Sequence, residues 1–330
     1  MKKLFTVALA LLFAISVMAC SAPTPAAPTP AVPEESAVSD GEKLYIPVIA
    51  MGFQHQFWQA VRIGAEQAAE DFGVEITFEG PEDETMVDKQ LDILRAAIAK
   101  GPAAISMAAI DEQAVLFDLE EQKSKGIPII GFDAGVGDIA DVTATTDSLA
   151  AGAEAAKHAV EFLNGSGKVG IISHSQTVID AVERVKGFVD YIEANAPGIE
   201  IVDIQYGDGD HLKSADIVKS MLQGDPEIDL FYASNEGAAV GMYNGIKEIN
   251  KIGEVILIGF DASKALKDAV RSGEVAGAIT QNPVGMGYKS VEAAVKIING
   301  ESVPSFIDTG FYWYDASNMD EPHIAVLLYD

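Results

Sequence analysis

Ile130-Gly131-Phe132-Asp133-Ala134 returns later in the chain as Ile258-Gly259-Phe260-Asp261-Ala262. Each copy ends a short apolar run with an aspartate, and each run occupies the fourth place in a matched order of elements. Before the first copy, β-rich runs lie near 44–50, 74–78 and 103–107; the copy itself ends the run near 128–132, and another follows near 142–145. The second half repeats the order near 168–173, 199–205, 230–233, 255–260 and 275–280. Helical patterns fall at 57–72, 84–100, 111–125, 148–164, 178–195, 211–223, 236–250, 263–272 and 284–299. Strand–helix alternation at this spacing predicts parallel sheets covered by helices on both faces. A repeated order of elements predicts two similar lobes. The fold class is therefore α/β, with two open parallel sheets flanked by helices. In such sheets a ligand binds beyond the carboxyl ends of the strands, where Asp133 and Asp261 stand.

The composition narrows the function. The chain has 330 residues, with 22 Lys+Arg against 50 Asp+Glu, a net charge of −28. A polyanion would be repelled, so nucleic acid is excluded as a partner. One cysteine permits neither an internal disulfide nor a Cys-rich zinc site. The Asp208, Asp210 and His211 group is too closely spaced to favour one ion, so no metal and no cofactor is expected. The Gly135–Ala140 stretch fits a Gly-x-Gly-x-x-Ala pattern but precedes a β-like run instead of a helix, which argues against a dinucleotide site.

The amino end reads as an address. Lys2 and Lys3 precede an apolar run from Leu4 to Met18, too short to span a membrane and fitting a signal peptide. Val17-Met18-Ala19-Cys20 resembles a bacterial lipobox, so residues 1–20 are expected to be a lipoprotein leader, with Cys20 lipidated. Residues 21–41, rich in Pro and Ala, suit a solvated tether. Removing the leader leaves 20 − 50 = −30 side-chain charges. Such an acidic chain needs its lipid to stay at an anionic membrane.

Several segments, in order, resemble the type I periplasmic sugar-binding proteins of ABC transporters, the ribose-binding group. They are Ile49 to Trp58, Gly126 to Asp133, Arg184-Val185-Lys186-Gly187-Phe188, Ala233-Ser234-Asn235-Glu236, Gly259-Phe260-Asp261 and Thr280-Gln281-Asn282-Pro283. The resemblance runs from about Lys43 to Phe311. It implies a three-segment hinge at Thr146-Asp147, Gln281-Asn282 and Ile307-Asp308. The lobes would then be 42–146 plus 282–307, and 147–281 plus 308–330. It also implies a ligand set of Gln54, His55, Phe57, Trp58, Asp133, Arg184, Asn235, Asp261 and Gln281, and an ABC permease as partner to a monomer. His174, Gln176 and Asp180 follow the first strand of the second half and are read either as cleft walls, with His174 added to the ligand set, or as loop and cap residues.

Carboxylates accept strongly from sugar hydroxyls, amides donate and accept, and aromatic rings cover C–H faces. Core packing at a helix start competes for Phe57 and Trp58. Helix capping competes for Asp133 and Asp261. Where the ribose-binding pattern has arginines, this chain has Ala134 and Val182. With the acids kept, that favours a neutral sugar, deoxysugar or polyol over an anion. The expected function is an extracytoplasmic solute-binding lipoprotein at the cell membrane, with no enzyme activity. A surface chemosensor is the neighbouring alternative. An α/β oxidoreductase finds no supporting motif, and a sugar-responsive transcription factor would need an amino-terminal DNA-binding domain.

Overall fold

The computed structural model describes residues 43–329. Cys20, the leader and the tether lie outside them. All ten expected strands and nine expected helices form, with ends shifted by a few residues. The first sheet contains β1 (Tyr45–Ile49), β2 (Glu75–Glu79), β3 (Ile105–Met107), β4 (Ile129–Phe132) and β5 (Val142–Thr145). The second contains β6 (Ser166–Ser173), β7 (Gly198–Tyr206), β8 (Leu230–Ala233), β9 (Ile256–Phe260) and β10 (Gly277–Gln281). Two short strands complete them: β11 (Phe306–Asp308) joins the first and β12 (Phe311–Tyr314) the second.

The strand orders are β2-β1-β3-β4-β5-β11 and β7-β6-β8-β9-β10-β12. Both follow one doubly wound pattern, so the repeat seen in sequence is a repeat of topology. Every pairing is parallel except one. β12 runs antiparallel to β10, with Thr280 opposite Tyr312 and Gln281 opposite Phe311. The ten expected strands are all parallel within their sheets, and the antiparallel exception is β12, a strand outside that expectation. Only Thr309 and Gly310 separate β11 from β12, too few residues for a crossover that would keep the strands parallel.

The chain passes between the sheets three times: between β5 and α4 (Ser148–Phe162), between β10 and α9 (Pro283–Ile298), and between β11 and β12. Asp308 still pairs with Thr145 in β11, so the third passage falls at Thr309-Gly310, just beyond the expected Ile307-Asp308. The helices cover both faces of each sheet. In the first lobe α1 (Gln56–Phe72) crosses α9, with Gly64 and Gly287 at the contact. In the second, α4 crosses α5 (Ile179–Asn195), with Gly152 and Gly187 there. A Cβ on Gly187 would collide with the carbonyl of Leu149, so glycine is what lets these backbones touch. Each lobe keeps its own apolar core, one around Ile46, Val48, Phe132 and Val291, the other around Ile171, Phe188, Tyr232 and Phe260.

Candidate functional site

The carboxyl ends of the two sheets face each other across a small chamber. Its walls are Met51, His55, Phe57, Trp58, Glu84, Asp133, His174, Asp180, Arg184, Asn235, Glu236, Asp261 and Gln281. Nine of the ten residues expected at the ligand are among them. Gln54 is not: it is exposed, and its amide nitrogen meets His55 Nε2 at 3.0 Å. Glu84, Glu236, Met51 and Asp180 are the additions. Asp180 was weighed from sequence as a wall or a loop residue; Gln176, weighed with it, is exposed.

Strand ends place the acids. Asp133 follows β4 and Asp261 follows β9, and both have positive φ, 52° and 73°. That conformation turns the chain sharply at the sheet edge and is one Asp tolerates better than most side chains. Asp133 makes no capping bond to a following helix. Asp261 caps in another way. Its Oδ2 accepts from the backbone N–H of Glu236 at 2.8 Å, at the start of α7 (Glu236–Glu248), and its Oδ1 accepts from Gln281 Nε2 at 2.7 Å. The capping alternative therefore describes part of what Asp261 does, though for a helix on a neighbouring strand. Asn235 caps α7 directly through Ala238 N–H at 2.8 Å.

Arg184 organises the centre. Its Nη1 donates to Ser234 O at 2.9 Å and its Nη2 to Gln281 Oε1 at 3.0 Å. Nη2 also lies 3.0 Å from Asp180 Oδ2 and 3.9 Å from Asp133 Oδ1. The guanidinium lies over the Phe260 ring, 4.1 Å from its centroid, a cation–π contact in a buried site. His174 Nε2 approaches Asp180 Oδ2 at 3.3 Å, and its Nδ1 shares a hydrogen bond with Ser234 Oγ at 2.9 Å. Arg184 Nε, His55 Nδ1 and Asp180 Oδ1 are buried without a partner. A buried polar atom left unmatched is costly.

The acids respond differently to burial. Desolvation, and then the nearby Asp180 carboxylate, push Asp133 well above the usual carboxylate range. Burial also raises Asp261. For Asp180 burial acts the same way, but the charges of Arg184 and His174 outweigh it and hold the group well below the ordinary value. Glu236 is pushed up to about 7, chiefly by burial.

Phe57 and Trp58 pack edge to face at 4.9 Å within the first core and also line the chamber. Trp58 is backed by Phe132 and held by Glu84, whose Oε1 accepts from its indole N–H at 2.8 Å. His211 meets His55 from the opposite lobe, ring centroids 5.5 Å apart. Asp210 caps α6 (His211–Gly224) and Asp208 pairs with Lys213, so both acids have structural partners. Among the described residues no group of three or more His, Cys, Asp and Glu side chains could hold a metal ion.

Two sheets of one topology, closed over a polar chamber at their strand ends, are matched by the family described as the periplasmic binding protein domain, over residues 46–302. The chain belongs to this family. Among curated proteins it is similar to the D-allose-binding periplasmic protein of Escherichia coli, 24% identical over 274 residues, covering 78% of this chain and 88% of that one. It is also similar to the ribose import binding protein of Bacillus subtilis, 24% identical over 310 residues, covering 93% and 97%. Among solved structures, an ABC transporter solute-binding protein from Agrobacterium vitis with bound α-D-tagatopyranose superposes with a TM-score of 0.83 at 29% identity, over 87% of this chain and all of that one. A carbohydrate transporter solute-binding protein from Agrobacterium radiobacter in complex with D-arabinose gives 0.81 at 31% identity, over 87% and 99%. These relatives of the periplasmic binding protein family are binding proteins.

Proposed function

We propose that the protein is an extracytoplasmic receptor that captures a neutral sugar or polyol between its lobes and delivers it to an ABC importer. The supporting observation is the chamber itself. Carboxylates from both lobes, two amides and an indole face converge there, which is the set that hydroxyls and sugar C–H faces require. Its single guanidinium is already engaged by Asp180, so the walls offer no spare cation to an anionic ligand. The named relatives bind or import ribose, allose, tagatose or arabinose.

The lobes of this reading are 43–146 plus 282–308 and 147–281 plus 309–329, with the last boundary at the Thr309-Gly310 passage, acting in a monomer without cofactor or catalysis. Nine wall residues would contact the ligand: His55, Phe57, Trp58, Asp133, His174, Arg184, Asn235, Asp261 and Gln281. Cys20 would carry the lipid that keeps the receptor on the outer face of the cell membrane. The test is a thermal-shift screen with D-ribose, D-allose, D-arabinose, D-tagatose and common polyols, beside sugar phosphates. A ligand present at a hundredfold excess over its Kd adds about 2.7 kcal/mol of apparent stability. A marked rise with one neutral member supports the reading. A rise only with phosphates, or with none of the panel, contradicts it.

A further inference from the structure

Two helices, one in each lobe, have no side-chain caps of their own. α1 begins after His55, whose side chain makes no capping bond, and its first turn holds no acid. α8 (Lys264–Arg271) begins after Ser263, a favoured cap by residue type, yet that hydroxyl is buried without a partner. In both cases the cap comes from the opposite lobe. Glu236, at the start of α7 in the second lobe, accepts from the N–H of Gln56 at 3.0 Å with one oxygen and from that of Phe57 at 3.1 Å with the other. Gln56, at the start of α1 in the first lobe, accepts with Oε1 from the N–H of Lys264 at 2.7 Å.

We infer that Glu236 and Gln56 form a reciprocal clasp, in which each lobe caps a helix of the other and does so only while the lobes are together. The inference rests on the receptor reading, since it needs lobes that open. Opening frees three helix-start amides at once, and closing satisfies all three. Asp261 ties the clasp to the ligand wall, because its Oδ2 holds the backbone N–H of Glu236. Gln56 lies outside the chamber walls, so it is a positioning residue: it sets affinity by favouring closure.

The test is Gln56→Ala in the full-length protein, with hydrogen exchange followed at single amides and sugar affinity measured by calorimetry. A merely local role would speed exchange at Lys264 alone. The clasp predicts severalfold faster exchange at Phe57 as well, on the other helix, because losing one cap opens both. It also predicts sugar affinity lower by roughly three- to thirtyfold, the range that one helix cap spans. Glu236→Ala should speed exchange at Lys264 in return, and Glu236→Gln, which keeps one acceptor oxygen, should fall between. Acceleration confined to the amides that lost their own acceptor, with wild-type affinity, overturns the inference. If the wild-type protein binds no sugar, the receptor reading fails separately, and cross-lobe exchange still decides the clasp.

Discussion

Asp133 and Asp261 occupy equivalent places in the repeat, yet the structure gives them different burdens. Asp261 holds Gln281 and the first amide of α7, whereas Asp133 is approached by Arg184 at 3.9 Å. Asp133→Ala should therefore weaken sugar binding by about one to two powers of ten, the worth of a charged hydrogen bond, while the ligand-free melting temperature stays near wild type. Asp261→Ala should lose affinity and stability together. Calorimetric titration beside thermal unfolding separates the two, and wild-type affinity in either variant would remove that residue from the ligand set. Arg184→Met makes a stronger case. It strips the buried acids of their guanidinium, and breaking a buried pair in this way costs about 3–5 kcal/mol. A denaturant midpoint close to wild type would contradict the central role of Arg184. The two aspartates were legible because a five-residue repeat marks them. Glu84 was not, since the sequence places it at the start of the 84–100 helical pattern, among Glu82, Asp83 and Thr85, whereas the helix begins only at Val87. Only folding brings it to the Trp58 indole. Nor could sequence decide which residue of Gln54-His55-Gln56 turns inward, because an irregular loop has no side-chain period to read.

The strands and helices were legible for a plain reason: each combines an apolar period with turn residues at its ends. The failures are β11 and β12. Phe306–Asp308 has only three residues, and its pairing with β5 is decided by partners far away in the chain. Phe311–Tyr314 reads as an aromatic cluster, and its antiparallel direction follows from the short turn at Thr309-Gly310. Helix pairing carries a prediction of its own. Gly187 sits where α5 meets the Leu149 carbonyl of α4, three residues from Arg184. Gly187→Ala gains helix propensity worth about 1 kcal/mol but overpacks a backbone contact, which typically costs about 1–3 kcal/mol. The clash should win, giving a lower urea midpoint. A higher midpoint would show that α4 and α5 separate easily.

At the scale of the molecule, closure should be coupled to protons. In an open receptor Glu236 would face water and titrate near its ordinary 4.5; in the closed chamber burial raises it to about 7. A value raised on closing means that the closed form gains stability as pH falls. That gain is complete below about 4.5 and is lost as pH rises through about 7. Asp133 and Asp261, also raised, act in the same sense. His211, lowered by burial and by His55, acts in the opposite sense near its own range. Affinity should therefore tighten between pH 8 and pH 6, with a shallower dependence in Glu236→Gln. Weaker binding on acidification, or an equal slope in that variant, would contradict the assignment to Glu236. The amino-terminal anchor is checked by cell fractionation, in which Cys20→Ala should leave the membrane pellet.

The central claim is that the two lobes close around a sugar. Small-angle scattering of the wild-type protein, with and without a sugar that raises its melting temperature, tests this directly. Ligand favours closure only by touching both lobes, as the chamber walls allow. The account predicts a smaller radius of gyration and a narrower distance distribution when the sugar is added. Identical scattering curves with the sugar bound at saturation would contradict it.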